Sequence, residues 1–161
     1  MAQSNSSPKT SRAIILIALA VLLVLGSWFL AGPTPTEVIV VIFPNGTQIE
    51  AEVADTPEAL LFGLAFREEL PPNSGMLYIF EQSDRHRVKT FRFQFPVDMI
   101  WADESRHVVH LIEDAEPCPS APCPVYGPPP ENARYLIQTV AGFIRQEHLT
   151  PGIELSFALR M

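Results

Sequence analysis

The pattern of apolar residues divides the chain into two unlike parts. Residues 13–32 carry no charge and are apolar on every side of a helix, and twenty helical residues rise about 30 Å, the thickness of a membrane's hydrocarbon core. Lys9 and Arg12 precede this stretch, and Glu37 follows it. By the positive-inside rule, residues 1–12 are cytoplasmic, 13–32 form a transmembrane signal-anchor helix, and the remainder lies outside the cytoplasm.

A cleaved signal peptide is the alternative interpretation of this stretch. Such a peptide has an apolar core of about 7 to 15 residues and ends at small residues. The stretch here is longer, and the large side chains of Trp28 and Phe29 stand near its end. We therefore predict an uncleaved anchor, a stiff Pro-Thr-Pro-Thr spacer over 33–36 and an extracytoplasmic β-rich domain over 37–161.

Beyond the spacer, the pattern of apolar positions is typical of short β-strands. Residues 38–43 form a run of mostly β-branched residues, and 48–54 alternate between apolar and polar side chains. Asn45 and Gly46 lie between the two runs and favour a tight turn, so the segment predicts a β-hairpin. The phrase Asp-Thr-Pro-Glu at 55–58 then predicts the start of a short helix.

Six further segments continue the strand pattern, and they are 75–80, 88–95, 97–102, 107–112, 133–140 and 153–159. A helical turn is predicted near 143–148. Residues 117–130 contain seven prolines and predict an extended loop. Because strands and helices do not alternate, we expect a mainly β fold, an antiparallel β-sandwich or barrel-like domain with one short helix, preceded by the N-terminal transmembrane helix.

The charge of the chain excludes one class of partner. The sequence has 11 Lys and Arg against 18 Asp and Glu, a net charge of -7. Two of the basic residues, Lys9 and Arg12, precede the predicted anchor, so the domain from residue 36 onward keeps 9 basic and all 18 acidic residues, a charge of 9 minus 18, or -9. Nucleic-acid binding depends on cationic neutralisation of phosphates, and we therefore expect no nucleic-acid partner.

Several phrases of the sequence, in their order and spacing, resemble a family called domain of unknown function 192. They lie at 53–58, 63–71, 75–80, 96–101, 117–126 and 133–135. The resemblance implies a β-sandwich-like fold that often follows an N-terminal membrane or export segment. It implies no activity, because none is established for the family. The chain departs from the family's aromatic-Met-Lys phrase at 89–93, which read Lys-Thr-Phe-Arg-Phe.

The two cysteines lie in the proline-rich loop. Cys118 and Cys123 are separated by four residues, and thiols outside the cytoplasm are oxidised. We predict a local disulfide, since a redox motif favours Cys-x-x-Cys and a zinc site would need a second pair of ligands. No ligand spacing in the sequence predicts a metal site or a cofactor.

Asp98 is the acid most suggestive of a site, because it stands among apolar residues and a buried carboxylate must be paired or hydrogen-bonded. Arg67 and Arg92 are its candidate partners, and the three are the candidate ligand-binding residues. The structural interpretation is the favoured one: Asp98 forms an ion pair or caps loop amides. No catalytic residue is predicted.

Phe91, Phe93 and Phe95 share one face of the strand predicted at 88–95. Such a face either lines a carbohydrate or lipid groove or is part of the core, and the core is the commoner case. The function that we expect is recognition of a small molecule, a glycan or an envelope partner by loops on a rigid scaffold. An enzyme with a polar site around Asp98 and a structural envelope protein remain the alternatives.

Overall fold

The computed structural model of the protein describes residues 14–23, 26 and 37–159. The chain divides into two units, Met1–Pro35 and Thr36–Met161. In the first unit, residues 14–23 are helical, and eight large apolar side chains of this helix are more than half exposed. The transmembrane helix predicted over 13–32 lies in part outside the described residues. Among the residues described, no helix is both long and apolar enough to cross a membrane.

The second unit is built around one seven-stranded sheet. Its elements, in chain order, are β1 (Val38–Ile42), β2 (Gln48–Ala54), α1 (Pro57–Phe62), β3 (Ser74–Asp84), β4 (Val97–Ala102), β5 (Val108–Ala115), β6 (Ala133–Val140), α2 (Phe143–Gln146) and β7 (Ser156–Leu159). The strand order is β5-β4-β6-β3-β2-β1-β7. The backbone of 106–108 hydrogen-bonds to 152–155, just before β7, so the sheet curls into a half-barrel.

Local sequence explains how the first elements form. β1 and β2 pair antiparallel as the predicted hairpin, and Gly46 adopts the positive φ of 88° that the turn between them requires. Thr56 caps α1, because its hydroxyl accepts a hydrogen bond from the Ala59 amide at 3.2 Å, and Pro57 occupies the first helical turn. Both predictions, the hairpin and the helix start, are confirmed.

The sheet has an apolar core on each of its two faces, because neighbouring residues of a strand point to opposite sides. Leu77, Ile100 and Ile137 belong to the core on one face, where Phe43 packs against Phe143 of α2 at 5.1 Å between ring centroids. We call this side the closed face. The other core, which contains Tyr78, Met99, Trp101 and Leu136, is covered by α1 and by the loops over 85–96 and 117–130. We call it the groove face.

The mainly β fold is confirmed and the half-barrel is close to the barrel-like alternative, whereas the antiparallel sandwich is corrected in two respects. The described residues form a single curled sheet rather than two packed sheets, and β2 pairs with β3 in parallel. The parallel pair arises because the chain from β2 to β3 passes through α1 before it re-enters the sheet, the kind of crossover that parallel neighbours require.

The strand predicted over 88–95 is wrong. This segment makes only isolated bridges, from Val88 to Tyr126 and from Phe91 to Cys118, and Arg92 has a φ of 64°. A positive φ breaks the extended backbone, so Phe91 is exposed while Phe93 is buried. The proline-rich segment at 117–130 is irregular, as predicted.

Candidate functional site

Asp98 is fully buried in β4. Its Oδ1 accepts a hydrogen bond from the Asp114 amide at 2.8 Å, and its Oδ2 accepts one from the Ile144 amide, also at 2.8 Å. Ile144 lies in the first turn of α2, where free amides attract a carboxylate. The carboxylate therefore joins the end of β5 to the start of α2, which is the amide-capping role of the structural interpretation.

Arg67 has a different partner from the one predicted. Its guanidinium forms a two-pronged ion pair with Glu52, at 2.5 Å to Oε1 and 2.7 Å to Oε2. The hydrogen bonds from Arg67 lower the pKa of Glu52, and those to Glu52 raise the pKa of Arg67. Both side chains are about one-third exposed, so the pair is partly screened by water.

Arg92 is exposed, and its guanidinium carbon lies 5.3 Å from the centroid of the Phe91 ring. It borders a shallow depression with Phe66 and Pro119, whereas Arg67 borders another one beside α1. Among the described residues, Asp98 forms no ion pair with either arginine, since Arg67 pairs with Glu52 and Arg92 lies over the Phe91 ring. The predicted clustering of Asp98, Arg67 and Arg92 in one site is therefore wrong.

The predicted disulfide is present between Cys118 and Cys123, whose Cα atoms lie 5.7 Å apart. Backbone hydrogen bonds fasten this loop to its neighbour: the Arg92 amide donates to the Cys118 carbonyl and the Cys118 amide to the Thr90 carbonyl. In the described part of the chain, no three His, Cys, Asp or Glu side chains are grouped so that they could hold a metal ion.

A large concavity lies on the groove face of the domain. It has a volume of about 740 Å³ and runs between α1, the segment 87–93 and the disulfide loop, with β3 and β6 at its base. We call it the apolar groove. Its lining consists of Leu60, Leu61, Phe62, Tyr78, Phe80, Arg87, Val88, Lys89, Phe91, Phe93, Ala121, Pro122, Cys123, Val125 and Gln138.

The exposed apolar side chains of the domain gather at this groove. Over 37–157, the large hydrophobic residues that stay exposed are Leu61, Phe62, Phe66, Phe91 and Val125. Four of them line the apolar groove, and the fifth, Phe66, contacts Phe62 at 6.0 Å between ring centroids. Single exposed apolar residues are ordinary on protein surfaces, whereas a contiguous group around a concavity is typical of a binding site.

A buried polar pair lies at the base of the apolar groove. The Tyr78 hydroxyl donates to Gln138 Oε1 at 2.9 Å, and the two residues are 4% and 1% exposed. Burial raises the pKa of Tyr78 well above its ordinary value, so the hydroxyl keeps its proton. Gly63 permits this arrangement, since a Cβ at that position would lie only 1.7 Å from the Tyr78 oxygen.

The rim of the apolar groove is positively charged. Arg87 and Lys89 are exposed and line it, and its described lining contains no Asp or Glu. Neither cation takes part in an ion pair with any described residue. This local positive charge stands out on a domain whose formal charge is -9 (9 basic minus 18 acidic residues).

Sequence reasoning reached only part of this site. Phe91 and Phe93 both line the apolar groove, and Phe93 is at the same time a buried member of the core, the commoner case predicted for this face. The contributions of α1, Tyr78 and Gln138 were not predicted. One signal was available: Leu60, Leu61 and Phe62 are consecutive in a short helix, and three consecutive helical residues cannot all face one core.

Comparisons with solved structures show the same fold. The chain is 22% identical to a suggested transcription regulator from Sinorhizobium meliloti 1021, with a TM-score of 0.68 over 78% of this chain and 98% of that one. It is 20% identical to a protein of unknown function from Novosphingobium aromaticivorans DSM 12444, with a TM-score of 0.64 over 74% and 83% of the two chains. No functionally curated protein matches the chain. The family model described as "Uncharacterized ACR", domain of unknown function 192, matches residues 40–157.

Proposed function

The chain belongs to the domain of unknown function 192 family, and within that family we propose that this protein binds a small amphipathic anion, an apolar chain with an acidic headgroup, in the apolar groove. The observation that carries the proposal is the gathering of exposed apolar side chains at one concavity. The sequence predicts a small molecule, a glycan or an envelope partner as the ligand. Of these three classes, we propose the small molecule.

The size and lining of the apolar groove suit such a ligand. Its volume of about 740 Å³ lies within the range of roughly 300–1,000 Å³ that is usual for small-molecule sites. Each methylene group that a ligand buries there contributes about 0.8 kcal/mol. The ligand would also cover Leu61 and Phe91, which are 77% and 44% exposed. The apolar surfaces of the ligand and of these side chains would therefore be removed from water together.

The headgroup is assigned from charge complementarity. Arg87 and Lys89 stand at the rim without an anionic partner among the described residues. A carboxylate or phosphate on the ligand would accept charge-assisted hydrogen bonds from them, while its chain enters the groove. A cationic amphiphile of equal chain length would be repelled at the same place.

The alternatives are less well supported by the groove lining. Acid–base or nucleophilic catalysis commonly uses His, Asp, Glu, Ser, Lys, Tyr or Cys side chains, and of these the described lining contains Tyr78, Lys89 and Cys123. The Tyr78 hydroxyl is buried and bonded to Gln138, Cys123 is held in the disulfide, and Lys89 has no catalytic partner in the lining. A purely structural envelope protein would need an exposed apolar patch without a concavity. Binding rather than catalysis is therefore the function that we propose.

We also propose that a helix over 13–32 anchors the domain on the outer side of a cell membrane. This proposal rests on the uncharged apolar stretch and on the cations that precede it. Such an anchor would hold the apolar groove near lipids, one source of amphipathic anions. Alkaline carbonate extraction tests it, since an anchored chain stays with the membrane pellet and a processed one is released.

Binding can be tested with the full chain in phosphatidylcholine nanodiscs. The probe is dodecanoate that carries a photoreactive diazirine near its methyl end, and the labelled peptides are mapped by mass spectrometry. We expect labelling within 57–62 and 118–126. Unlabelled dodecanoate should displace the probe, whereas dodecyltrimethylammonium, a cation with the same chain, should not.

The headgroup assignment has a charge-matched control. Arg87→Gln combined with Lys89→Gln should weaken probe binding about ten-fold. This corresponds to the free energy of about one hydrogen bond between charged groups. Arg106→Gln combined with Arg134→Gln removes the same charge from positions outside the groove lining and should leave binding unchanged. Labelling spread evenly over the domain, or equal displacement by the cationic amphiphile, would refute the proposed function.

A further inference from the structure

The base of the apolar groove holds a hydrogen-bond donor without a partner. Gln138 is 1% exposed, and its Oε1 is occupied by the Tyr78 hydroxyl. Its Nε2 makes no hydrogen bond to any described residue. In the described chain, the buried side-chain atom that has neither a partner nor accessible surface is Trp101 Nε1. Gln138 Nε2 also has no partner but is not such an atom, so it keeps some accessible surface. Gln138 lines the groove.

The orientation of this amide follows from its neighbours. The Tyr78 hydroxyl donates its proton to Gln138 Oε1 at 2.9 Å. Because that bond occupies Oε1, Nε2 keeps two protons to donate at a residue that lines the groove. Gly63, whose close approach to the Tyr78 oxygen allows no side chain, keeps the phenol in place.

A buried donor that stays unpaired is costly, and a purely hydrocarbon chain would cover Nε2 without accepting from it. We propose that the apolar groove selects ligands whose buried chain carries an acceptor oxygen, such as a keto, ester or ether group, bound by Gln138 Nε2. This inference rests on the proposed function and adds to it the chemistry of the ligand's apolar part. Gln138 is then a specificity-determining residue, and Tyr78 is the residue that positions it.

The test is a competition series on the full chain in phosphatidylcholine nanodiscs. The competitors for the photoreactive dodecanoate are plain dodecanoate and a set of mono-oxododecanoates, with the keto group moved along the chain. We expect the oxododecanoates with the keto group at one position, or at two adjacent positions, to bind about ten-fold more tightly than dodecanoate. This is the effect of satisfying one buried donor. A keto group elsewhere should weaken binding, because it is desolvated without a donor.

Two variants make the assignment specific to Gln138. Gln138→Met, similar in length but without a donor, should remove the preference for the best oxododecanoate over dodecanoate. Gln48→Met, at an exposed position of β2, is the matched control and should keep the preference. Tyr78→Phe should reduce the preference, because it frees Gln138 to rotate.

The outcomes separate this inference from the proposed function. Equal affinity of every oxododecanoate and of dodecanoate for the wild-type chain would overturn the inference alone, with no variant required. A preference that survives in Gln138→Met would also overturn it. Absence of any groove labelling by dodecanoate would overturn both proposals together.

Discussion

The closed face and the groove face of the sheet use the same strands and differ in what covers them. On the closed face, α2 and the turn after it complete a core in which Leu77 and Ile137 have no exposed surface. On the groove face, the cover is α1 and two irregular loops, and the core includes the polar pair of Tyr78 and Gln138 at its edge.

The difference shows how a concavity can form on a well-packed sheet. Regular elements satisfy their own backbone hydrogen bonds and can therefore lie flat against a core. The loops on the groove face instead bond to one another, as where the Phe66 amide donates to the Arg92 carbonyl, with both residues at positive φ. Such loops arch over the sheet, and the space they leave is the apolar groove.

The largest effect that separates the two faces should come from paired leucine truncations. Leu77→Ala empties a fully buried position of the closed face and should lower the free energy of unfolding by about 2–5 kcal/mol. Leu61→Ala, at a residue 77% exposed on the groove side, should change it by no more than about 0.5 kcal/mol. Urea titration of the full chain measures both, and equal losses would contradict the distinction between the faces.

A smaller loss should follow from Asp98→Asn, at the carboxylate that joins β5 to α2. An asparagine can still accept one of the two amide hydrogen bonds but presents its NH2 group to the other donor. We expect a loss of about 1–3 kcal/mol in the free energy of unfolding, together with faster hydrogen exchange at the Ile144 amide.

Asp55→Asn, at an exposed position, is the matched control for that substitution and should be close to neutral. An Asp98→Asn variant as stable as the wild type would disprove the capping role and return Asp98 to consideration as a site residue.

The smallest effect concerns the ion pair of Arg67 and Glu52, beside α1. Because Arg67 lowers the pKa of Glu52 in the folded state, the carboxylate stabilises the fold above its unfolded pKa of about 4.5. That contribution is lost as the pH falls through the lower, folded value. Partial exposure of both groups limits it to about 1 kcal/mol or less.

Urea titrations of the wild type and Glu52→Gln between pH 7 and pH 3 check this. The stability difference between them should be largest at pH 7 and should shrink toward acid. Glu68→Gln removes an exposed carboxylate that forms no described ion pair and is the control. A difference that grows toward pH 3 would contradict the sign of the Glu52 shift.

Much of the strand content was predictable because local patterns agree with the fold. The alternation at 48–54, the Asn45-Gly46 turn and the apolar run at 97–102 all correspond to elements of the sheet. The partner of each strand was not predictable, because β2 and β3 become parallel neighbours through contacts distant in sequence. The alternation at 88–95 led to a wrong strand prediction, because the positive φ of Arg92 interrupts the extended backbone in the middle of this segment.

The site was harder to predict than the fold. The sequence directed attention to charged residues, and Asp98 and Arg67 are both charged, but each is satisfied by a structural partner. The apolar groove depends on residues that read as ordinary core, such as Tyr78 and Phe91. Only the folded arrangement shows which apolar side chains remain uncovered, since exposure is a property of the whole packing.

The closure of the half-barrel also bears on aggregation. Exposed edge strands invite other chains to add to a sheet. The backbone bonds from 106–108 to 152–155 join the start of β5 to the segment just before β7. At the far end of β5, Arg145 pairs with Glu113 and Asp114, and Asp114 has a φ of 51°. The charged side chains and the local change of backbone direction at this end of β5 thus disfavour the addition of another strand. The domain can therefore expose apolar side chains on its groove face while the start and the end of β5 disfavour pairing with strands of other chains.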